Sequence, residues 1–302
     1  MVLVPGGLPL GTTPTSDAPG DAPASQDEGP RPLFDALLRV GEVLVAATLF
    51  LALLQVALGF SLTDADLWAR FASPPRGASF LARGLLGTLG YMALVIPLGF
   101  GIGFLWAWAR LSRYRAFSWP VLVLTEFLRG VPPLVLVIFA ATFGATLLRG
   151  VVDNPNQAAL LVAAGALALH SAAYQAEILR AGFQSVPRGQ LEAAQALGMS
   201  PGRTMAHVIL PQALRLSLPP LGNEFATVIK DTALLGTVGA TELFSMGQDF
   251  LGQSDVLGRV VWALAVWVII AAVYFAITFA VTRGLRLVER RLQVPGLEGA
   301  TS

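Results

Sequence analysis

GLLGTLGYMALVIPLGFGIGFLWAWA, residues 84–109, runs for 26 positions between Arg83 and Arg110 without a charged side chain. A helix needs about 20 apolar residues to cross roughly 30 Å of hydrocarbon, so this stretch alone is long enough to span a bilayer. Three other runs match it. Residues 43–62 give 20 uncharged positions, 154–176 give 23, and 260–282 give 23. Two further apolar stretches carry embedded charges. Residues 117–148 hold Glu126 and Arg129, and Arg129 to Pro133 is expected to bend that span. Residues 219–246 hold Glu224, Lys230, Asp231 and Glu242, which with Pro219-Pro220, Gly236 and Gly239 read as a broken or kinked segment lining a passage. The expectation is an all-α integral membrane protein with six transmembrane helices, at 43–62, 84–109, 117–148, 155–177, 219–246 and 260–282. They occupy one membrane domain, 33–292.

Composition supports lipid as the solvent. Of 302 residues, 55% are hydrophobic and 13% charged, against about 25% charged in soluble domains. The net charge of +1 excludes an electrostatic nucleic-acid binder, which needs a basic face. Without cysteine and with only His170 and His207, neither disulfides nor a metal site is expected. Residues 1–32 contain seven prolines and five glycines, a composition that reads as a disordered tail. Residues 293–302 read as a short C-terminal tail.

Orientation follows from arginine placement. With the N-terminus in the cytoplasm, 13 cations lie inside, among them Arg110, Arg113, Arg115, Arg180, Arg188 and Arg203, and 5 lie outside. Both termini are therefore expected on the cytoplasmic side.

The longest loop, 180–217, falls on that side. Ser185 before Pro187 reads as a helix N-cap. Gly189 to Leu197 is a strong helix former, and Gly198 suits the left-handed position after a helix. Ser200-Pro201 restarts a second short helix, which Leu210-Pro211 bends or ends. The loop's charge fits adhesion to a membrane surface or to a cytoplasmic protein.

Here the sequence resembles a family. Glu192-Ala193-Ala194, then Gly198, then Val208-Ile209-Leu210-Pro211, resemble the EAA loop of permease subunits of ATP-binding-cassette importers, Val208 standing for the more usual isoleucine. The stretches Ala173 to Arg180, Ser185 to Gln190, Pro211 to Arg215, Asn223, Lys230-Asp231-Thr232, Thr88-Leu89 and Arg129 to Leu134 are similar to its polar amino-acid branch. The resemblance covers residues 80 to 292. It implies a type I importer permease in a bacterial inner or plasma membrane, not an enzyme, that works as a dimer with a second copy or a sister permease. The implied partners are ATP-binding-cassette ATPase subunits, an extracytoplasmic substrate-binding protein, membrane lipid and an amino-acid substrate. ATP and Mg belong to the ATPase, with no cofactor in this chain, which also lacks the Gly-rich phosphate loop ending in Lys-Ser/Thr. The implied coupling residues are Glu192, Ala193, Ala194, Gly198, Val208, Leu210 and Pro211.

Charges at membrane depth are costly and face a cavity or a partner. Arg129, His170 and Lys230 fall at similar depth, roughly 15–18 Å along their spans at 1.5 Å per residue. With Tyr174 and Asn223 they are the substrate-pathway candidates. Two readings stand for the cations: a solvated cavity meeting a substrate carboxylate, or pairing of Arg129 with Glu126 and of Lys230 with Glu224 or Asp231. His170 reads as a satisfied core histidine or as a ligand. An ion-coupled secondary transporter or channel built on Lys230 is the alternative function. Gly99, Gly101 and Gly103 read as helix-packing residues rather than a nucleotide loop.

Overall fold

The computed structural model describes residues 32–58, 69, 77–252 and 260–292, and every regular element among them is helical. The expected tails at 1–31 and 293–302 lie outside the described residues, as does the end of the first expected span beyond Leu58; Pro32 already stands in helix α1. Helix α1 (Pro32–Leu58) belongs to a unit of its own. It exposes Val43, Leu44, Val45, Leu49, Phe50 and Leu53. An apolar surface all round is what a helix in lipid presents.

In the second unit, α2 (Gly77–Arg110) packs along α5 (Pro155–Gln184). Small residues permit the approach. A Cβ added at Gly103 would stand 2.9 Å from the Ala172 carbonyl oxygen, and one at Gly99 would stand 3.2 Å from that of Ala168, whereas Gly101 faces open space. On α5, Ala164, Ala168, Ala172 and Ala176 are fully buried. Helices in lipid gain nothing from hiding apolar surface from water, so close backbone contact between small residues takes over that role. Two of the three glycines thus serve packing.

A short turn leads from α2 to α3 (Arg115–Gly130), and α4 (Pro133–Leu147) follows after a bend of 104°. The expected third span is therefore two helices meeting at an elbow. Pro132 and Pro133 cause it: the residue before a proline is forced out of helical conformation, and Val131 adopts φ −97°, ψ 133°. Asn154 caps α5 by accepting N–H bonds from Asn156 (2.9 Å) and Gln157 (3.3 Å), with Pro155 in the first turn.

Beyond α5 come α6 (Arg188–Ala196), the single turn α7 (Pro201–Thr204), a π-helical turn (Met205–Ile209) and α8 (Leu210–Asp231). Three expectations change here. Ser185 closes α5 rather than capping α6, its hydroxyl donating to the Ala181 carbonyl (2.9 Å). The second helix of the loop is not short, since Pro211 sits in the first turn of α8 and the chain continues helically to Asp231. Pro219 and Pro220 also lie inside α8 without breaking it. The break comes later, through α9 (Ala233–Gly236) and Gly239 at φ +92°, to α10 (Leu243–Leu251).

Glu242, fully buried, organises that break. Its carboxylate accepts N–H bonds from Phe244 (2.7 Å) and Ser245 (2.6 Å) at the start of α10 and an O–H bond from Tyr274 (2.8 Å) on α11 (Val260–Leu292). The charge read as a span interruption is thus a helix cap. Gly87 of α2 lies so close to the Thr241 carbonyl that a Cβ there would overlap it. Among the described residues, three helices are long and apolar enough to cross a membrane, or four with the α3–α4 elbow as one span. The expected count of six is not reached on that criterion, because α8 carries charges and the apolar part of α1, Val40–Leu53, is short.

Candidate functional site

Three of the five pathway candidates meet at the elbow. A helical carbonyl normally accepts from the N–H four residues on, and for Leu128 and Arg129 those residues are Pro132 and Pro133, which have none. Helix α5 supplies the missing donors. His170 Nδ1 lies 2.9 Å from the Leu128 carbonyl oxygen, and the Tyr174 hydroxyl donates to that of Arg129 at 3.3 Å. Since a carbonyl only accepts, the His170 proton resides on Nδ1. His170 is buried, with its ring 5.2 Å from that of Tyr174. Through Nδ1 it has the hydrogen bond expected of a satisfied core histidine. The Arg129 guanidinium stacks 5.3 Å over the Tyr174 ring and donates to Glu126 at 3.2 Å, so the expected i,i+3 pair is present.

Asn223 and Lys230 lie elsewhere, on one face of α8. With Thr227 between them they form an exposed stripe at helical spacing. Lys230 has no ion pair among the described residues, so its expected pairing with Glu224 or Asp231 is not seen. Glu224, one residue round the helix from Asn223, instead accepts from Ser171 of α5 at 2.9 Å, and Ser171 accepts from Gln175 at 2.8 Å. Lipid cannot solvate the polar groups of the stripe, so in a bilayer that face needs water or a partner.

The loop residues form a capped, mostly exposed hairpin. Gly198 adopts φ +69°, its N–H bonds the Gln195 carbonyl (2.9 Å), and the Met199 N–H bonds that of Ala194 (3.0 Å). This is the Schellman closure, which a left-handed residue makes possible. Ala194 is the buried residue of α6, while Glu192 and Ala193 face outward. Leu210 is half-buried with Met205 and Ile209 against Phe183, Val186 and Ala213. Gln212 ties the hairpin, donating to the Val208 carbonyl at 3.0 Å and to Gln190 at 3.4 Å. Pro211 lies beside them in the first turn of α8. At the root of the loop, Gly182 is pressed against Ser217 and Ala213 so closely that no Cβ fits. The two helices flanking the hairpin are thereby locked together.

The model for the family described as binding-protein-dependent transport system inner membrane component matches residues 99–294. The chain belongs to that family. It is 32% identical over 211 residues to the probable glutamine ABC transporter permease protein GlnM of Bacillus subtilis, covering 70% of this chain and 92% of the relative. It is 35% identical over 214 residues to the glutamine transport system permease protein GlnP of Escherichia coli K12, covering 71% and 93%. A crystal structure of an amino acid ABC transporter with histidines is similar with a TM-score of 0.61 at 33% identity, over 71% of this chain and 94% of that one. The inward-facing MetNI methionine transporter, at 23% identity and TM-score 0.56, shares the fold. As an inner membrane component of this family, the permease is a membrane protein and a transporter subunit without catalytic activity of its own.

Two features of the permease escaped the sequence reading. Leu197 is 81% exposed and Leu191 42% exposed, an outward-facing apolar pair on the hairpin. Thr227 completes the α8 stripe, and the spacing 223, 227, 230 was the signal that marks it. Tyr174→Phe removes one donor from the elbow. It is expected to lower the thermal midpoint of the purified permease, since leaving a carbonyl unpaired costs about 1–3 kcal/mol. An unchanged midpoint in a melting curve overturns the role given to that hydroxyl.

Proposed function

We propose that the permease is the membrane-spanning subunit of an ATP-driven, binding-protein-dependent amino-acid importer of a bacterial cell membrane. Its hairpin, led by α6 (Arg188–Ala196), takes the stroke of a separate ATPase, which holds ATP and Mg. The observation that carries this reading is the hairpin itself. A short Schellman-capped helix presents Leu191, Glu192 and Leu197 outward, packs against the Met205–Ile209 turn, and is tied to α8 by the Gln212–Gln190 hydrogen bond. A capped helix joined to the ends of two locked helices transmits a rigid-body push, as hinge and shear closures require. Glu192, Ala193 and Gly198 shape the contact surface; Val208, Leu210 and Pro211 hold its base.

Solute then passes along the α8 face of Asn223, Thr227 and Lys230, with Lys230 meeting the amino-acid carboxylate. A second copy or a sister permease closes the other side, and an extracytoplasmic binding protein delivers the amino acid. The chain crosses the membrane several times with both termini cytoplasmic, the hairpin lying on that side. The relatives named for glutamine, L-cystine and glutamate transport support a polar amino acid as cargo.

Reconstitution decides between this and the ion-coupled alternative. Proteoliposomes holding the permease, its ATPase and its binding protein are expected to accumulate amino acid only with ATP. Uptake driven by an ion gradient through the permease alone overturns the proposal.

A further inference from the structure

At the hairpin end of the membrane domain, a cavity of about 280 Å³ lies between the end of α2, the first turn of α3 and the end of α5. Arg110, Arg115 and Arg180 line it together with Ser118 and Trp119. Glu177 holds two of these guanidinium groups: Arg110 Nη1 donates to it at 2.6 Å, and Arg180 pairs with it and also donates to Gln184 at 2.7 Å. One carboxylate among three arginines leaves an excess of positive charge at neutral pH. Arg115, exposed in the first turn of α3, has no ion pair among the described residues. No described hydrogen bond uses Nε or Nη2 of Arg110.

The surroundings place this charge at the edge of the hydrocarbon. From the cavity, α3 presents Phe117, Trp119, Val123, Leu124 and Phe127 outward, with Phe117 and Trp119 about two-thirds exposed at 65% and 64%. Such an apolar face lies against acyl chains, and an exposed tryptophan at its end marks headgroup level. Basic pockets between membrane helices at that level suit phosphate-bearing headgroups, and guanidinium forks bind phosphate oxygens in pairs.

We propose that this cavity is a binding site for the headgroup phosphate of an anionic phospholipid, whose acyl chains run along the outer face of α3. Arg115 and the free donors of Arg110 take the phosphate, and Ser118 offers a hydroxyl. Arg180, held by Glu177 and Gln184, supplies charge rather than a fork. The occupant stitches the α2–α3 turn to the end of α5. The site rests on reading α3 as membrane-embedded and on no step of transport.

The test needs neither ATP nor substrate, so its failure is separable from failure of the transport reading. Native mass spectrometry of the detergent-purified permease, offered equal phosphatidylglycerol and phosphatidylcholine, is expected to show preferential retention of phosphatidylglycerol. Arg115→Gln is expected to cut that preference by roughly fivefold and to remove most of the phosphatidylglycerol-dependent rise in thermal midpoint, leaving the midpoint in phosphatidylcholine unchanged. Equal retention of the two lipids by the natural chain overturns the proposal whether or not the variant folds. So does an undiminished preference in Arg115→Gln. A rise in midpoint with inorganic phosphate equal to that with the lipid assigns the cavity to a free anion and overturns the lipid reading.

Discussion

Lys230→Ala is expected to lower binding-protein-dependent uptake by roughly ten- to hundredfold, the range for losing a hydrogen bond to a charged group, while the amount of protein in the membrane stays within about twofold. The argument starts from exposure. Lys230 is the chain's single lysine, it faces outward on α8, and no acid pairs with it among the described residues. Removing it leaves no carboxylate orphaned in the fold, so stability has little to lose. A substrate carboxylate crossing low-dielectric surroundings has much to lose, since a charge there is stabilised chiefly by a counter-charge. Lys230→Arg keeps the charge in a different shape and is expected to recover part of the rate. Uptake per unit of immunodetected permease is the measurement. Parallel loss of yield and uptake assigns Lys230 to the scaffold instead.

Gly198→Pro is expected to abolish uptake, by at least about tenfold, while the protein still inserts and the associated ATPase still hydrolyses ATP. Proline fixes φ near −65°, whereas this position stands at +69°. It also deletes the N–H that bonds Gln195, and the neighbouring Met199–Ala194 bond loses its geometry. The hairpin then ends without its cap, and Leu197 no longer points where α6 aims it. Gly198→Ala keeps the N–H and carries only the left-handed penalty of about 1–2 kcal/mol, so an intermediate loss is expected. Hydrolysis and uptake measured on the same proteoliposomes separate uncoupling from misfolding. Unchanged uptake in the proline variant removes the hairpin from the transport cycle.

Much of this architecture is readable in the sequence because long uncharged runs have few physical outcomes. Residues 84–109 lie within one helix, and Gly198 sits left-handed after Ala196 and Leu197 as its helix-ending context requires. The prolines were harder, because a proline's effect depends on who takes up the carbonyl it frees. Pro132-Pro133 produces an elbow whose two carbonyls find partners on a distant helix, while Pro219-Pro220 passes unbroken through α8. Nothing local distinguishes the two pairs. Glu242 misled for a related reason. Its value as a cap for α10 depends on Tyr274, 32 residues away, and on Gly236 leaving room for its carboxylate. Among the site residues, the hairpin was legible as a contiguous pattern. Arg129, His170 and Tyr174 were brought together only by the crossing of α3 and α5.

The clasp of His170 and Tyr174 on the elbow has a mechanical corollary. Both side chains stand on α5, which continues for another ten residues to Gln184, about 15 Å at 1.5 Å per residue, and ends where the hairpin begins. The bent segment is held mainly by that helix, with lesser contacts to α2 and α9. If the hairpin tilts that rod, as proposed above, the elbow reorients with it in the same movement.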